Sequence, residues 1–145
     1  MEAIHDGYDD AFNDLLSFNI RMAHGLVYRH FVATFSALKL TQKQLLVLWL
    51  VDNHPNIAQT DLAQRMHMDR ATLMAIVNRL QDRNYVVRGP CLTDRRKQSL
   101  NLSPIGVKVL ATAKLAIAKH EGWLRQHFTH KEIARLTELL GRIQP

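Results

Sequence analysis

The chain has 145 residues, 47% of them hydrophobic, which is enough for one domain of ordinary size and too little for two large ones. A net charge of +6 calls for an anionic partner, either nucleic acid or an acidic membrane surface. One cysteine excludes an internal disulfide framework and suits a reducing cytoplasm, and no apolar run approaches the roughly 18 residues of a membrane span. The acidic opening MEAIHDGYDD is unlike a signal peptide or a basic targeting segment.

Residues 9–38 carry Phe12, Leu15, Leu16, Ile20, Met22, Leu26, Phe31, Phe35 and Leu38 at mixed steps of three and four, which predicts a long first helix. Thr41 and Gln44 fit a capping box that opens a second helix through Leu45, Leu48, Trp49 and Val51, and Asn53-His54-Pro55-Asn56 ends it. Gln59 or Thr60 starts a short third helix that buries Leu62, Ala63 and Met66. Asp69 is an N-cap for a fourth, with Leu73, Ile76, Val77 and Leu80 on one apolar stripe. Residues 84–88 and 98–102 read as two strands of a hairpin, with Gly89-Pro90 bending the chain out of the first. Ser103-Pro104 begins a fifth helix that runs to about His127, and a capping box at Thr129–Glu132 opens a last one bearing Ile133, Leu136, Leu139, Leu140 and Ile143. The expected fold is mainly α with a small two-stranded β-wing: a winged helix-turn-helix module over 39–103, between helical regions at 1–38 and 104–145. The terminal helices hold more apolar surface than this module needs, so they are expected to pack together and against a second copy of the chain.

The charge is uneven. Residues 1–14 hold five acids and no Lys or Arg, whereas residues 65–97 hold eight Lys or Arg against three acids. The middle of the chain is therefore the anion-facing part. With its apolar stripe inward, the fourth helix leaves Arg70, Thr72, Ala75, Asn78 and Arg79 for a DNA major groove, where Arg bonds guanine and Asn bonds adenine bidentately. Taken alone, the helix is as well read as a solvated amphipathic one. The hairpin tip shifts that balance, because Arg95, Arg96 and Lys97 stand where they can enter a narrow, electronegative minor groove. Asp94 is expected to pair with a neighbouring Arg and hold it extended.

The strings Leu62-Ala63, Leu80, Val86-Val87-Arg88, Asp94-Arg95-Arg96 and Leu100-Asn101-Leu102-Ser103-Pro104-Ile105-Gly106, with Leu40-Thr41-Gln42-Lys43-Gln44 and Leu48 upstream, resemble the MarR family of bacterial transcription regulators. Ser103 stands where that family commonly has Thr, a change that preserves the N-cap. The resemblance spans essentially the whole chain. It implies a cytoplasmic homodimer, joined through its terminal helices, that reads a pseudo-palindrome in double-stranded DNA and mostly represses. It also implies base contacts from Arg70, Thr72, Ala75, Asn78 and Arg79, and a minor-groove Arg96 oriented by Asp94. Arg95 would lie on phosphate or take Arg96's place, and Thr41, Gln42 and Lys43 would lie near phosphate. A small phenolic or aromatic acid is commonly bound between the dimer helices and the DNA-binding module, with Arg21, His24, Tyr28 and Trp49 as candidates here.

Cys91, at the wing base, is read as a small packed side chain rather than a redox sensor. The eight histidines include His24, His30, His120, His127 and His130 but form no tight ligand motif, so no metal or other cofactor is expected. Catalysis has no motif to support it, and an enzyme acting on small aromatics is disfavoured. The alternative of another class is a winged module that binds protein, which would tolerate replacement of Arg70, Arg79 and Arg96.

Overall fold

The structure is a computed structural model that describes residues 10–144, so the acids Glu2, Asp6 and Asp9 lie outside the described residues. In chain order the elements are α1 (Asp10–Asn13), α2 (Leu16–Phe35), a 3-10 turn (Ser36–Leu38), α3 (Gln42–Asn53), β1 (Ile57–Ala58) and α4 (Gln59–Arg65). There follow α5 (Arg70–Asp82), β2 (Val86–Pro90), β3 (Gln98–Leu102), α6 (Pro104–Arg125) and α7 (His130–Gly141). The chain divides into two compact units, one holding residues up to Thr34 and from His120 onward, the other Phe35–Lys119.

The second unit is built by caps. At α3, Thr41 accepts from the Gln44 backbone N–H at 3.1 Å and Gln44 Oε1 accepts from the Thr41 N–H at 3.1 Å, the expected capping box. Helix α4 ends in a Schellman motif, with Met68 N–H to Ala63 O at 3.0 Å, His67 N–H to Gln64 O at 3.1 Å, and His67 left-handed at φ 50°. Two residues later Asp69 caps α5, accepting from the Thr72 N–H at 2.8 Å. A helix stop and a helix start thus stand back to back, and this fixes the turn between α4 and α5. Leu62, Leu73, Val77 and Leu80 are fully buried beneath it with Val47 and Leu48 of α3.

The sheet differs from the expected two-stranded wing. It has three antiparallel strands in the order β1-β3-β2, with Ile57 opposite Leu100 and Ala58 opposite Ser99. Two residues are too few for an alternation to show, so β1 left no trace in the pattern. The first wing strand is also shifted. Asn84 is left-handed at φ 59° and belongs to a second Schellman motif that closes α5, with Tyr85 N–H to Leu80 O at 2.9 Å. Gly89 and Pro90 do not bend the chain away; they pair with Ser99 and Gln98. Because β2 is an edge strand, the missing N–H of Pro90 is tolerated.

The long first helix expected over 9–38 is broken at Asp14-Leu15. The Asn19 side-chain amide donates to Asn13 O at 2.6 Å and to Leu15 O at 3.0 Å, supplying partners for carbonyls at the break. In this first unit His120 is buried, with its Nδ1 2.8 Å from His30 Nδ1, while the His30 ring stacks on Trp123 at 3.9 Å and 5°. One Nδ1 of that pair must donate and the other accept, so the bond requires at least one neutral ring. Helix α7 opens with the expected Thr129–Glu132 capping box and buries no residue.

The packing makes two positions sensitive to change. A Cβ on Gly106 would collide with Tyr85 O, because Ser103 ties the start of α6 to Tyr85 and Asn84. Gly106→Ala should cost about 1–3 kcal/mol or more, read as a lower urea midpoint. His120 is held below the ordinary imidazole range, first by burial and then by His30, against an opposing pull from Glu121. The unfolded chain binds the proton more readily, so this contribution is full above about pH 6.5 and is lost as the pH falls below it. The thermal midpoint should therefore drop between about pH 7.5 and pH 5, and His120→Gln should flatten part of that slope.

Candidate nucleic-acid interface

Helix α5 buries Leu73, Val77 and Leu80 and half-buries Ile76, so Arg70, Thr72, Ala75, Asn78 and Arg79 are all exposed. Thr72 also braces the cap, since its hydroxyl donates to Asp69 Oδ2 at 2.7 Å. The two bonds from Thr72, backbone first, hold the Asp69 carboxyl below the usual carboxylate range.

The wing tip lies between Pro90 and Gln98, with Cys91 N–H donating to Lys97 O at 3.1 Å and Lys97 N–H to Asp94 O at 3.0 Å. Asp94 does pair with an arginine. Arg96 Nε reaches its Oδ1 at 3.1 Å and Nη2 its Oδ2 at 3.2 Å, leaving the Arg96 side chain 90% exposed. These bonds, with one from the Arg96 backbone N–H, hold the Asp94 carboxyl below the usual carboxylate range. Arg95 is exposed beside it. Lys97 approaches Asp61 of α4 at 3.8 Å. A groove of about 410 Å³ joins the two cationic regions, lined by Gln59 and Thr60 of α4, Arg70, Leu73 and Met74 of α5, and Asp94, Arg96, Lys97 and Gln98 of the wing. Thr41, Gln42 and Lys43 are exposed at the N-terminus of α3, where unpaired backbone N–H groups favour an anion.

Residues 38–97, from the 3-10 turn to the wing tip, match the family model described as MarR family. Over 129 residues the chain is 29% identical to a candidate transcriptional regulatory protein for the hcr operon of Thauera aromatica, an alignment that covers 88% of this chain and 78% of that one. The fold superposes on the transcriptional repressor CouR bound to a 23-mer DNA duplex with a TM-score of 0.85 and 29% identity, covering 92% of this chain and 94% of the other. Residues 38–97 thus carry a MarR-family module, and the likeness to known regulators extends along the chain. The chain is a DNA-binding transcription regulator and not an enzyme. BpsR of Bordetella bronchiseptica, solved to explain regulation of its DNA binding by 6-hydroxynicotinic acid, shares the fold at a TM-score of 0.83 and 21% identity, covering 91% of this chain and 94% of that one.

The effector candidates of this MarR-like chain fall in different places. Arg21, His24 and Tyr28 are exposed on α2, where the His24 and Tyr28 rings lie 6.1 Å apart and nearly parallel. Trp49 belongs to the other unit and is half-buried on α3, with the Lys114 ammonium 5.2 Å from its ring centre and 3.1 Å from Asp52. Among the described residues no group of three or more His, Cys, Asp or Glu stands together to hold a metal. Cys91 is buried, and its Sγ lies 3.3 Å from Thr93 Oγ1, a contact that lowers the thiol from its ordinary range. Among the described residues no helix is long and apolar enough to cross a membrane.

Sequence reasoning gave Arg88 no role, yet its guanidinium joins three elements. Nη2 donates to Asn78 Oδ1 at 2.7 Å, Nη1 to Gln81 Oε1 at 2.8 Å and Nε to Gln59 Oε1 at 3.3 Å. A signal for it was present. Val86 is buried and Val87 exposed, so the alternation of a strand turns Arg88 to the inner side, where a charge needs partners.

Proposed function

We propose that the protein is a cytoplasmic, homodimeric repressor that binds a pseudo-palindromic operator and leaves it when a small aromatic or phenolic acid binds. On this reading α5 enters the major groove with Arg70, Thr72, Ala75, Asn78 and Arg79, while Arg96, extended by Asp94, enters the minor groove. Arg95, with Thr41, Gln42 and Lys43, meets phosphate. The observation that carries it is the single groove lined by both Arg70 of α5 and Arg96 of the wing. A solvated helix and an ordinary charged turn have no reason to converge in this way.

Homodimerisation is supported by the apolar surface of the first unit. On α7 the side chains of Leu136, Leu139 and Leu140 follow one stripe, Ile143 follows in the turn beyond it, and all four are exposed in the single chain. Leu16, Ile20 and Leu26 of α2 are exposed as well. The description of CouR as a repressor bound to DNA, and that of BpsR as regulated by 6-hydroxynicotinic acid, favour repression and an aromatic acid effector. Arg21, His24, Tyr28 and Trp49 remain the residues proposed to meet it.

Selection from a random duplex library by the purified protein at physiological salt tests the reading. The expected product is one inverted repeat with half-site centres about 10 base pairs apart. Recovery of no motif, with binding that disappears as salt rises, would leave only a generic anion patch and favour the protein-binding alternative. On the selected site Arg96→Ala should weaken binding across sequences and reduce the salt slope by about one. Asp94→Ala should weaken it less, because the charge stays but is no longer held. Arg79→Ala should relax one base position by about 1–3 kcal/mol where its contact is bidentate. Leu136→Glu with Leu139→Glu should halve the mass measured by sedimentation.

A further inference from the structure

The geometry points to Arg88 as a specificity-determining positioning residue, which fixes Asn78 so that it offers the bases a hydrogen-bond donor and not the donor–acceptor pair of a free asparagine. The inference rests on the proposed entry of α5 into the major groove.

A guanidinium only donates, so each amide it meets must turn its oxygen inward. Arg88 meets three, from Asn78, Gln81 and Gln59, at 2.7, 2.8 and 3.3 Å. No carboxylate shares the site among these contacts; the partners of the half-buried guanidinium are amide oxygens. Two of them lie one turn apart on α5 and the third begins α4, while Arg88 itself comes from β2. The contacts therefore tie the base-facing side of α5 to the wing strand and to the other helix of the module. For Asn78 the effect is chemical as well as mechanical. It is exposed on the face turned to DNA, and its one oxygen is engaged at the shortest of the three distances.

A free asparagine reads adenine by accepting from N6 and donating to N7. The short bond turns Oδ1 toward Arg88, and the adenine pose, which needs Oδ1 and Nδ2 side by side at the base edge, competes with that contact even though Oδ1 keeps a second lone pair; the carboxamide nitrogen is the group left to turn to the groove. It donates to acceptors, which guanine offers at O6 and N7, thymine at O4 and adenine at N7 alone, where the neighbouring N6 amino group would then find no acceptor. Guanine or thymine should therefore be preferred under Asn78 to adenine, whose amino group goes unpaired. Arg88 does not touch that base; it acts through Asn78. This separates it from a phosphate-binding arginine, which would add to the salt dependence and weaken all sequences alike.

The test uses full-length protein and the random duplex library, with wild type, Asn78→Ala, Arg88→Met, the double variant and Asn78→Asp. Asn78→Ala identifies the base position that Asn78 reads. At that position wild type should prefer guanine or thymine, and Arg88→Met should shift the preference toward adenine by about ten-fold. The shift should vanish when Asn78 is already Ala, and the salt slope should match wild type. Asn78→Asp keeps the Arg88 contact and the fold while presenting an oxygen, so it should move the preference toward cytosine or adenine even if Arg88→Met proves unstable. The inference is overturned if Asn78 is found over adenine in wild type, or if Arg88→Met leaves that base preference unchanged or lowers the salt slope. It also falls if Asn78→Asp selects the wild-type base. If Asn78→Ala changes no base position, or wild type selects no motif, the entry of α5 itself fails, and the proposal with it.

Discussion

The register of β3 governs where the wing points and which way Arg88 turns. Leu100 is fully buried and stands opposite both Ile57 of β1 and Arg88 of β2. A slip of one residue would turn Leu100 to solvent and bring Asn101 into its place. Asn101 makes that slip costly. Its Oδ1 accepts from the Asn56 backbone N–H at 2.9 Å, and its Nδ2 donates to Asn56 Oδ1 at 2.8 Å. Asn56 is left-handed at φ 63°, a conformation that asparagine tolerates better than most residues. The pair thus clamps the turn before β1 to the strand it must join. With the register held, Arg88 faces α5 and the Asp94–Lys97 tip projects at the far end of the hairpin.

The polar contacts on this surface serve orientation more than stability. The Asp94–Arg96 pair is open to solvent, where ion pairs add little to folding. What it does is reduce the conformations of an exposed arginine before any partner arrives, and side-chain ordering is one of the costs of association. The Arg88 contacts do the same for an exposed asparagine. Both arrangements use a short residue with few rotamers, Asp or Asn, against a long one with many. In the first the order comes from the short Asp94, held in a tight turn; in the second it comes from the long Arg88, held at three points.

Much of this was legible in the sequence because the deciding signals were local. Thr41 with Gln44, Thr129 with Glu132, Asp69, and Ser103 before Pro104 each announce a helix start within four residues, and each does so in the structure. The apolar stripe of α5 likewise decided which of its residues face out. The misreadings have a common cause: the outcome was set by a distant or competing partner. β1 exists only because β3 pairs with it. Pro90 stays in β2 because no fourth strand needs its N–H. Asn84 and Tyr85 have the pattern of strand residues, but the end of α5 takes them first. The Arg88 contacts join residues 7, 10 and 29 positions apart, beyond the reach of any spacing rule. The Trp123 stack on His30 has the same character, since nothing near either residue announces the other.

The two units carry different surfaces. Exposed apolar side chains recur on α2 and α7 of the first, and the second joins Arg70 of α5 and Arg96 of the wing in one groove. The division has an energetic consequence on the proposed reading. A single module presents few cations, Arg70, Arg79, Arg95, Arg96 and Lys43 foremost, and phosphate contacts of that number give weak, salt-sensitive binding by themselves. Joining two copies through the apolar faces makes the second half-site an intramolecular event, so the modest affinities multiply without any new contact to DNA. The gain requires that the two modules reach both half-sites together, and it is lost where geometry forbids this. A small ligand need not compete for any base or phosphate to release the operator. It needs only to favour a spacing of the modules that the operator cannot match, and linkage then requires that DNA weaken the ligand by the same factor.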